Sequence, residues 1–210
     1  MSRILIVEAS PMGERSSSLS VADAFDKAYR EAHPEDDVDV LNLFEEEIPD
    51  FGRAEADAKY ALMHGKQVSD DDAAAWRRVE GMIERFKSAD KYVLAVPMWN
   101  FSIPYKLKQL LDVIIQPGYT FSYDPDSGYK GLLTGKRAFV VYARGGEYTE
   151  AAGTASYDMQ KPYLETALGF MGITDVTSVV VEPTMSGGPE AAAEKRSAAI
   201  DEAVKAAAEF

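Results

Sequence analysis

The sequence predicts a doubly wound α/β fold, with residues 1–210 forming one domain around a mostly parallel five-stranded sheet covered by helices on both faces. Short apolar runs bounded by turn residues recur at Arg3 to Val7, Val38 to Leu43, Tyr92 to Val96, Ala138 to Tyr142 and Ser178 to Val181. Helix-length amphipathic stretches alternate with them, and this βαβ order implies parallel strands. The runs Val93-Leu94-Ala95-Val96 and Phe139-Val140-Val141 are apolar without interruption, as strands buried on both faces are.

The elements follow in order. Met1 to Val7 passes from one basic residue into a short apolar run that meets Glu8. That run is too short for a secretory signal core and lacks a cleavage site, so it is read as the first strand. Helices are expected at about Ser18 to Ala32, Asp72 to Lys87, Pro104 to Ile115, Asp158 to Phe170 and Pro189 to Glu209. Two segments exceed the minimal alternation. Phe44 to Asp90 is longer than one crossover needs and carries a further helix around Ala54 to Lys66. Gly118 to Gly135 is rich in glycine and aromatics, with Tyr119, Phe121 and Tyr123 alternating like a short hairpin arm. Structured excursions of this kind are often functional or cover a partner surface.

Composition narrows the function classes. The chain contains no cysteine, which removes disulfides, thiolate catalysis and Cys-ligated metals together. A formal net charge of -13 repels phosphate backbones and anionic bilayers, so neither nucleic acid nor membrane is an expected partner. No apolar segment approaches the roughly 20 residues that span a bilayer, and a soluble cytoplasmic protein is expected. Glu45-Glu46-Glu47 and Asp70-Asp71-Asp72 have no calcium-loop spacing around them and read as solvated faces or helix starts. His33 and His64 lie outside every candidate ligand loop and read as surface residues.

Open α/β sheets bind ligands at the carboxyl ends of their strands, so the loops after the first, third and fourth strands are the places to look. After the first come Ser10, Gly13, Arg15 and Ser16-Ser17-Ser18, just before a helix. A helix N-terminus offers unpaired amides and a positive dipole end, and hydroxyls add donors, which suits a terminal phosphate. With a single glycine the loop matches neither the dinucleotide fingerprint nor the P-loop; the plain alternative is a serine helix cap. After the third strand, Met98-Trp99-Asn100-Phe101 sets two aromatics around an amide in a Pro-bounded loop. An isoalloxazine ring needs such apolar walls with polar groups for its edge. After the fourth, Ala143-Arg144-Gly145-Gly146 allows backbone N–H groups to approach a ligand closely.

Together the three loops resemble those of the FMN-dependent NADH azoreductases, also described as NADH:quinone oxidoreductases. The serine-rich loop corresponds to Ser10 and Ser16-Ser17-Ser18, the Met-Tyr/Trp-Asn-Phe segment to Met98-Trp99-Asn100-Phe101, and the Ser-Arg-Gly-Gly turn to Ala143-Arg144-Gly145-Gly146, with Ala143 departing from the pattern. Gly118 to Tyr123, Gly131 to Lys136 and Leu168 to Ile173 are also similar, so the resemblance covers nearly the whole chain. It implies a flavodoxin-like fold with strand order 2-1-3-4-5, one FMN per subunit on these twelve residues, and a homodimer. It further implies ping-pong transfer of two electrons from NADH to quinones and aromatic azo compounds, with the chemistry carried by FMN and no catalytic side chain. The alternative on the same fold is an electron carrier or FMN-binding regulatory module.

Overall fold

A computed structural model describes residues 1–210. Its five-stranded sheet comprises β1 (Arg3–Glu8), β2 (Asp37–Asn42), β3 (Lys91–Pro97), β6 (Arg137–Ala143) and β7 (Asp175–Val181), all parallel, in the order β2-β1-β3-β6-β7. This is the expected 2-1-3-4-5 order, the numbering displaced by a hairpin of β4 (Phe121–Asp124) and β5 (Gly128–Gly131). The helices are α1 (Ser17–Ala32), α2 (Arg53–Met63), α3 (Asp70–Lys87), α4 (Tyr105–Ile114), α5 (Lys161–Met171) and α6 (Gly188–Glu209).

Period-two alternation sends each strand's side chains into two cores. Leu5, Val7, Leu94, Val96, Val140 and Tyr142 pack with residues of α3, α4 and α5, whereas Ile4, Ile6, Val93, Ala95, Phe139 and Val141 pack with α1 and α6. The Asp70-Asp71-Asp72 run opens α3 behind the cap Ser69, where negative charge meets the positive end of the helix dipole. His64 is exposed as expected; His33 is half-buried against the Tyr29 ring.

The amino-terminal edge of the sheet is closed by charge. Each strand begins at or beside an ionised residue, and Arg3 pairs with Asp37 at 3.4 Å and Asp39 at 3.0 Å, while Arg137 pairs with Asp175 at 3.2 Å. Arg85 of α3 extends this network along the outer strand β2, donating to Asp39 at 2.7 Å, Glu46 at 2.6 Å and the Val40 carbonyl at 2.9 Å. These donors hold the Asp39 carboxyl below its usual range, Arg85 foremost. Asp36, bonded first by the Tyr29 hydroxyl and then by the Ser2 amide, is lowered to about 2.

The hairpin corrects one expectation. Tyr119 lies before the arm and turns onto α3, donating to Glu80 at 2.6 Å and meeting Trp76 edge-on. The arm is built from Phe121, Tyr123 and Tyr129; Phe121 and Tyr129 lie tilted against Phe170 of α5, and Tyr123 against Tyr129. It lies so close to the end of α5 that a Cβ on Gly131 would come within 2.3 Å of the Gly172 amide nitrogen, and Gly172 has a left-handed φ of 101°. Glycine is required at both positions.

Candidate active site

Because β1, β3 and β6 are neighbours, their following loops meet at the carboxyl edge of the sheet. The Ala9 amide donates to Ala95 at 3.0 Å, and the Met98 amide donates to Ala143 at 2.7 Å. All twelve candidate residues therefore lie in the three loops or at the element ends that adjoin them, Ser17 and Ser18 opening α1 and Ala143 closing β6.

The serine loop makes a single 3-10 turn, Gly13–Arg15, and enters α1 at Ser16. Ser16 is the helix cap: its Oγ accepts from the Leu19 amide at 3.3 Å and lies 3.1 Å from the Ser18 hydroxyl. Ser10, buried, accepts from the Met12 amide at 3.3 Å. Ser17 is half-buried, and its amide and that of Ser18 occupy the first two helix positions, where no intrahelical acceptor exists. Two free amides at a positive helix end, with the exposed Arg15 beside them, fit a phosphate. The capping role and the anion role thus fall on different serines. Beside this loop is a cleft of about 600 Å³ lined partly by Glu8, Asp23 and Asn42. Burial, then the neighbouring Asp23 charge, raises Glu8, and burial, then Asp26, raises Asp23, so both hold protons more readily than free carboxylates.

Trp99 to Ser102 forms a two-residue turn. The Trp99 amide donates to the Ser102 carbonyl at 2.9 Å and the Ser102 amide returns a bond of 3.1 Å. Asn100 and Phe101 have φ of 47° and 72°, the mirror-image turn geometry that glycine normally supplies. A non-glycine residue held there costs on the order of 1–3 kcal/mol and persists only where its surroundings impose it. Those surroundings come from across the edge: the Met159 amide donates to the Phe101 carbonyl at 3.0 Å, and Ser102 Oγ donates to the Met159 carbonyl at 3.2 Å. Phe101 remains 49% exposed, with Tyr148 and Tyr157 around it at 6.5 and 5.6 Å. Trp99 turns to the other side, against Phe44 and Tyr105, and opens on a cleft of about 380 Å³ that also includes Lys108 and Tyr163. The two aromatics therefore wall different spaces.

In the third loop, Ala143 is buried in the α1–α6 core, and its carbonyl receives the Met98 amide. Arg144, expected among the ligand-facing residues, instead has its side chain 3% exposed and bonded to Gln160, Asp158 and Glu182 within the protein. Gly145 and Gly146 lack left-handed torsions. A Cβ would meet only the flexible Met185 thioether at 3.3 Å in the first case and Tyr148 at 3.8 Å in the second. The fold makes little demand for glycine there, so the open approach to the backbone is the feature these residues provide.

Sequence reasoning missed Phe44, Tyr148, Tyr157 and Met159. The last three belong to the connection between Gly145 and Gln160, a stretch beyond the minimal βα turn that carries Tyr148 and Tyr157; its length is the one local signal that it covers a site. No group of three or more His, Asp or Glu side chains is placed to hold a metal. No helix is long and apolar enough to cross a membrane.

The flavodoxin-like fold family matches residues 2–207. The chain is 54% identical over 210 residues, all of both proteins, to an FMN-dependent NADH:quinone oxidoreductase of Nitratidesulfovibrio vulgaris (strain DP4). Its structure is similar to the crystal structure of an azoreductase from Bacillus anthracis str. Sterne, with a TM-score of 0.92 at 33% identity and 100% of each chain covered. It is also similar to an FMN-dependent NADH-azoreductase from Bacillus anthracis str. Ames Ancestor in complex with FMN. That match has a TM-score of 0.90 at 29% identity and covers 100% of this chain and 99% of the other.

Proposed function

We propose that this chain, which belongs to the flavodoxin-like family and within it to the FMN-dependent NADH:quinone oxidoreductases, is a cytoplasmic enzyme that passes two electrons from NADH to quinones and aromatic azo compounds. The observation that carries the reading is the convergence at one sheet edge of free helix-terminal amides, an imposed aromatic turn and an open glycine backbone. FMN, when bound, supplies the redox chemistry, accepting a hydride equivalent and releasing two electrons.

The protein's part is binding and orientation. Ser17 and Ser18 would hold the phosphate through their amides, and the half-buried Ser17 hydroxyl, which has no partner within the protein, would donate to it as well, with Ser10 and Ser16 shaping the loop. Met98, Asn100 and Phe101 would form one wall of the ring site, with Trp99 behind it, and the Gly145-Gly146 amides would meet the ring edge. Such donors stabilise negative charge on a reduced flavin. With one glycine in its phosphate loop, the chain lacks a separate dinucleotide fingerprint. Donor and acceptor therefore take the same place in turn.

Initial rates against NADH at several quinone concentrations are expected to give parallel double-reciprocal lines, with hydroquinone as product. Intersecting lines, or semiquinone as the main product, would favour the electron-carrier alternative. The proposed working unit is a homodimer of single FMN-binding domains, supported by the arm's exposed Tyr123, Tyr129 and Leu132. Light scattering of the holoprotein is expected to give about twice the chain mass of 23.0 kDa; an active monomer at micromolar concentration refutes this.

A further inference from the structure

Arg144 is the most heavily bonded buried cation in the molecule, and the proposed chemistry leaves it without a task. Its guanidinium donates from Nε to Gln160 at 3.0 Å, from Nη1 to Glu182 at 3.3 Å and from Nη2 to Asp158 at 2.7 Å. Every partner binds a second segment. Gln160, fully buried, donates to the Val96 carbonyl at 3.0 Å; Glu182 accepts from the Tyr148 amide at 3.1 Å. Asp158 uses its other oxygen for the Gln160 and Lys161 amides that open α5, at 3.0 and 3.1 Å. The Arg144 carbonyl accepts from the amide and hydroxyl of Thr184, at 2.8 and 2.9 Å.

We propose that Arg144 is a positioning residue: it sets the Gly145-Gly146 backbone directly and, through Asp158 and the adjoining Met159, holds the left-handed Asn100-Phe101 turn from across the site. The turn has no glycine to make its torsions easy, and Met159 grips it at both the Phe101 carbonyl and the Ser102 hydroxyl. Met159 is fixed in turn by the residue before it, whose carboxylate lies on the Arg144 guanidinium. One buried cation thus ties together the two walls of the ring site, a role that rests on the function proposed above. A lysine at this place keeps the charge but cannot present three divergent donors in one plane.

The test uses full-length Arg144→Lys and Asp158→Asn. The second variant retains an oxygen for the α5 amides while weakening the link to the guanidinium. Amide hydrogen exchange is followed first in flavin-free protein. Both variants are expected to exchange the Trp99, Ser102 and Met159 amides about tenfold faster than the parent, with Ile4 to Val7 of β1 unchanged. The FMN-loaded variants are expected to show altered visible circular dichroism of the flavin, a signature that a general loss of stability does not produce below the melt. Faster exchange confined to residues 145–148 and 158–160, with Trp99 and Ser102 at parental rates, overturns the proposal, as does an unaltered flavin spectrum in both variants. If Arg144→Lys fails to fold, Asp158→Asn decides alone. A parent that binds no FMN defeats the proposed function, and the flavin-free exchange then decides the coupling by itself.

Discussion

The two edges of the sheet are built on opposite principles. At the amino-terminal edge the chain pairs its own charges: Arg3, Lys91 and Arg137 find Asp36, Asp37, Asp39 and Asp175 within 4 Å, and Arg85 extends the network along β2 to Asp39 and Glu46. At the carboxyl edge the helix-terminal amides of Ser17 and Ser18 have no intrahelical acceptor, Phe101 stands half in solvent on strained backbone, and two glycines leave space that the fold does not need. An edge that completes itself contributes stability, whereas an edge left incomplete gives up stability for a ligand to recover.

Substitutions that separate stability from binding test this contrast. The largest effect is expected at the closed edge. Arg85→Ala removes the donors to Asp39, Glu46 and Val40 and is expected to destabilise the protein by about 2 kcal/mol, seen as a lower denaturation midpoint, with FMN affinity and turnover unchanged. An affinity loss equal to the stability loss would mean that the two edges are not independent.

At the open edge, Ser17→Ala is expected to weaken FMN by about tenfold, since a bond to a charged group is worth about 1.5–3 kcal/mol. Its flavin-free melting midpoint will match the parent's. Riboflavin, without the phosphate, is expected to bind both proteins poorly and equally; equal affinity of the parent for FMN and riboflavin would remove the serine loop from the site. Phe101→Gly is expected to change stability little although it removes a large ring. Removing a core phenylalanine costs about 3–5 kcal/mol, but relief of the torsion at φ 72° offsets the loss of a half-exposed ring. The flavin-free midpoint is expected to shift by less than the equivalent of about 1 kcal/mol, while FMN affinity falls several-fold. A melt lowered as if a core residue had been lost would refute the claim that the turn is strained for binding.

The sequence makes the central layers legible because buried parallel strands are written in consecutive residues: Val93 to Val96 and Phe139 to Val141 state their environment locally. Helix starts are almost as local, and Ser69 with three aspartates behind it marks the beginning of α3. The candidate loops stand out because their chemistry also lies in short stretches. What stayed hidden depends on distance. Nothing around Arg144 announces partners 14, 16 and 38 residues away, so the motif that names the residue does not say that the fold buries its guanidinium. Tyr119 and Tyr123 share a pattern, yet only the pairing register of the hairpin separates them. Phe44 joins Trp99 because β2 and β3 flank β1, a relation that no local window contains.

The glycine contact between Gly131 and Gly172 has a mechanical consequence. With two backbones in contact and the Leu133 amide bonded to the Met171 carbonyl at 2.8 Å, the arm has no hinge at its base. It is clamped to one end of α5, a rod of eleven residues and about 16 Å. The other end of that rod is Gln160, fully buried and fastened both to Arg144 and to the carbonyl of Val96. The arm and the Arg144 network are therefore fastened to opposite ends of one helix.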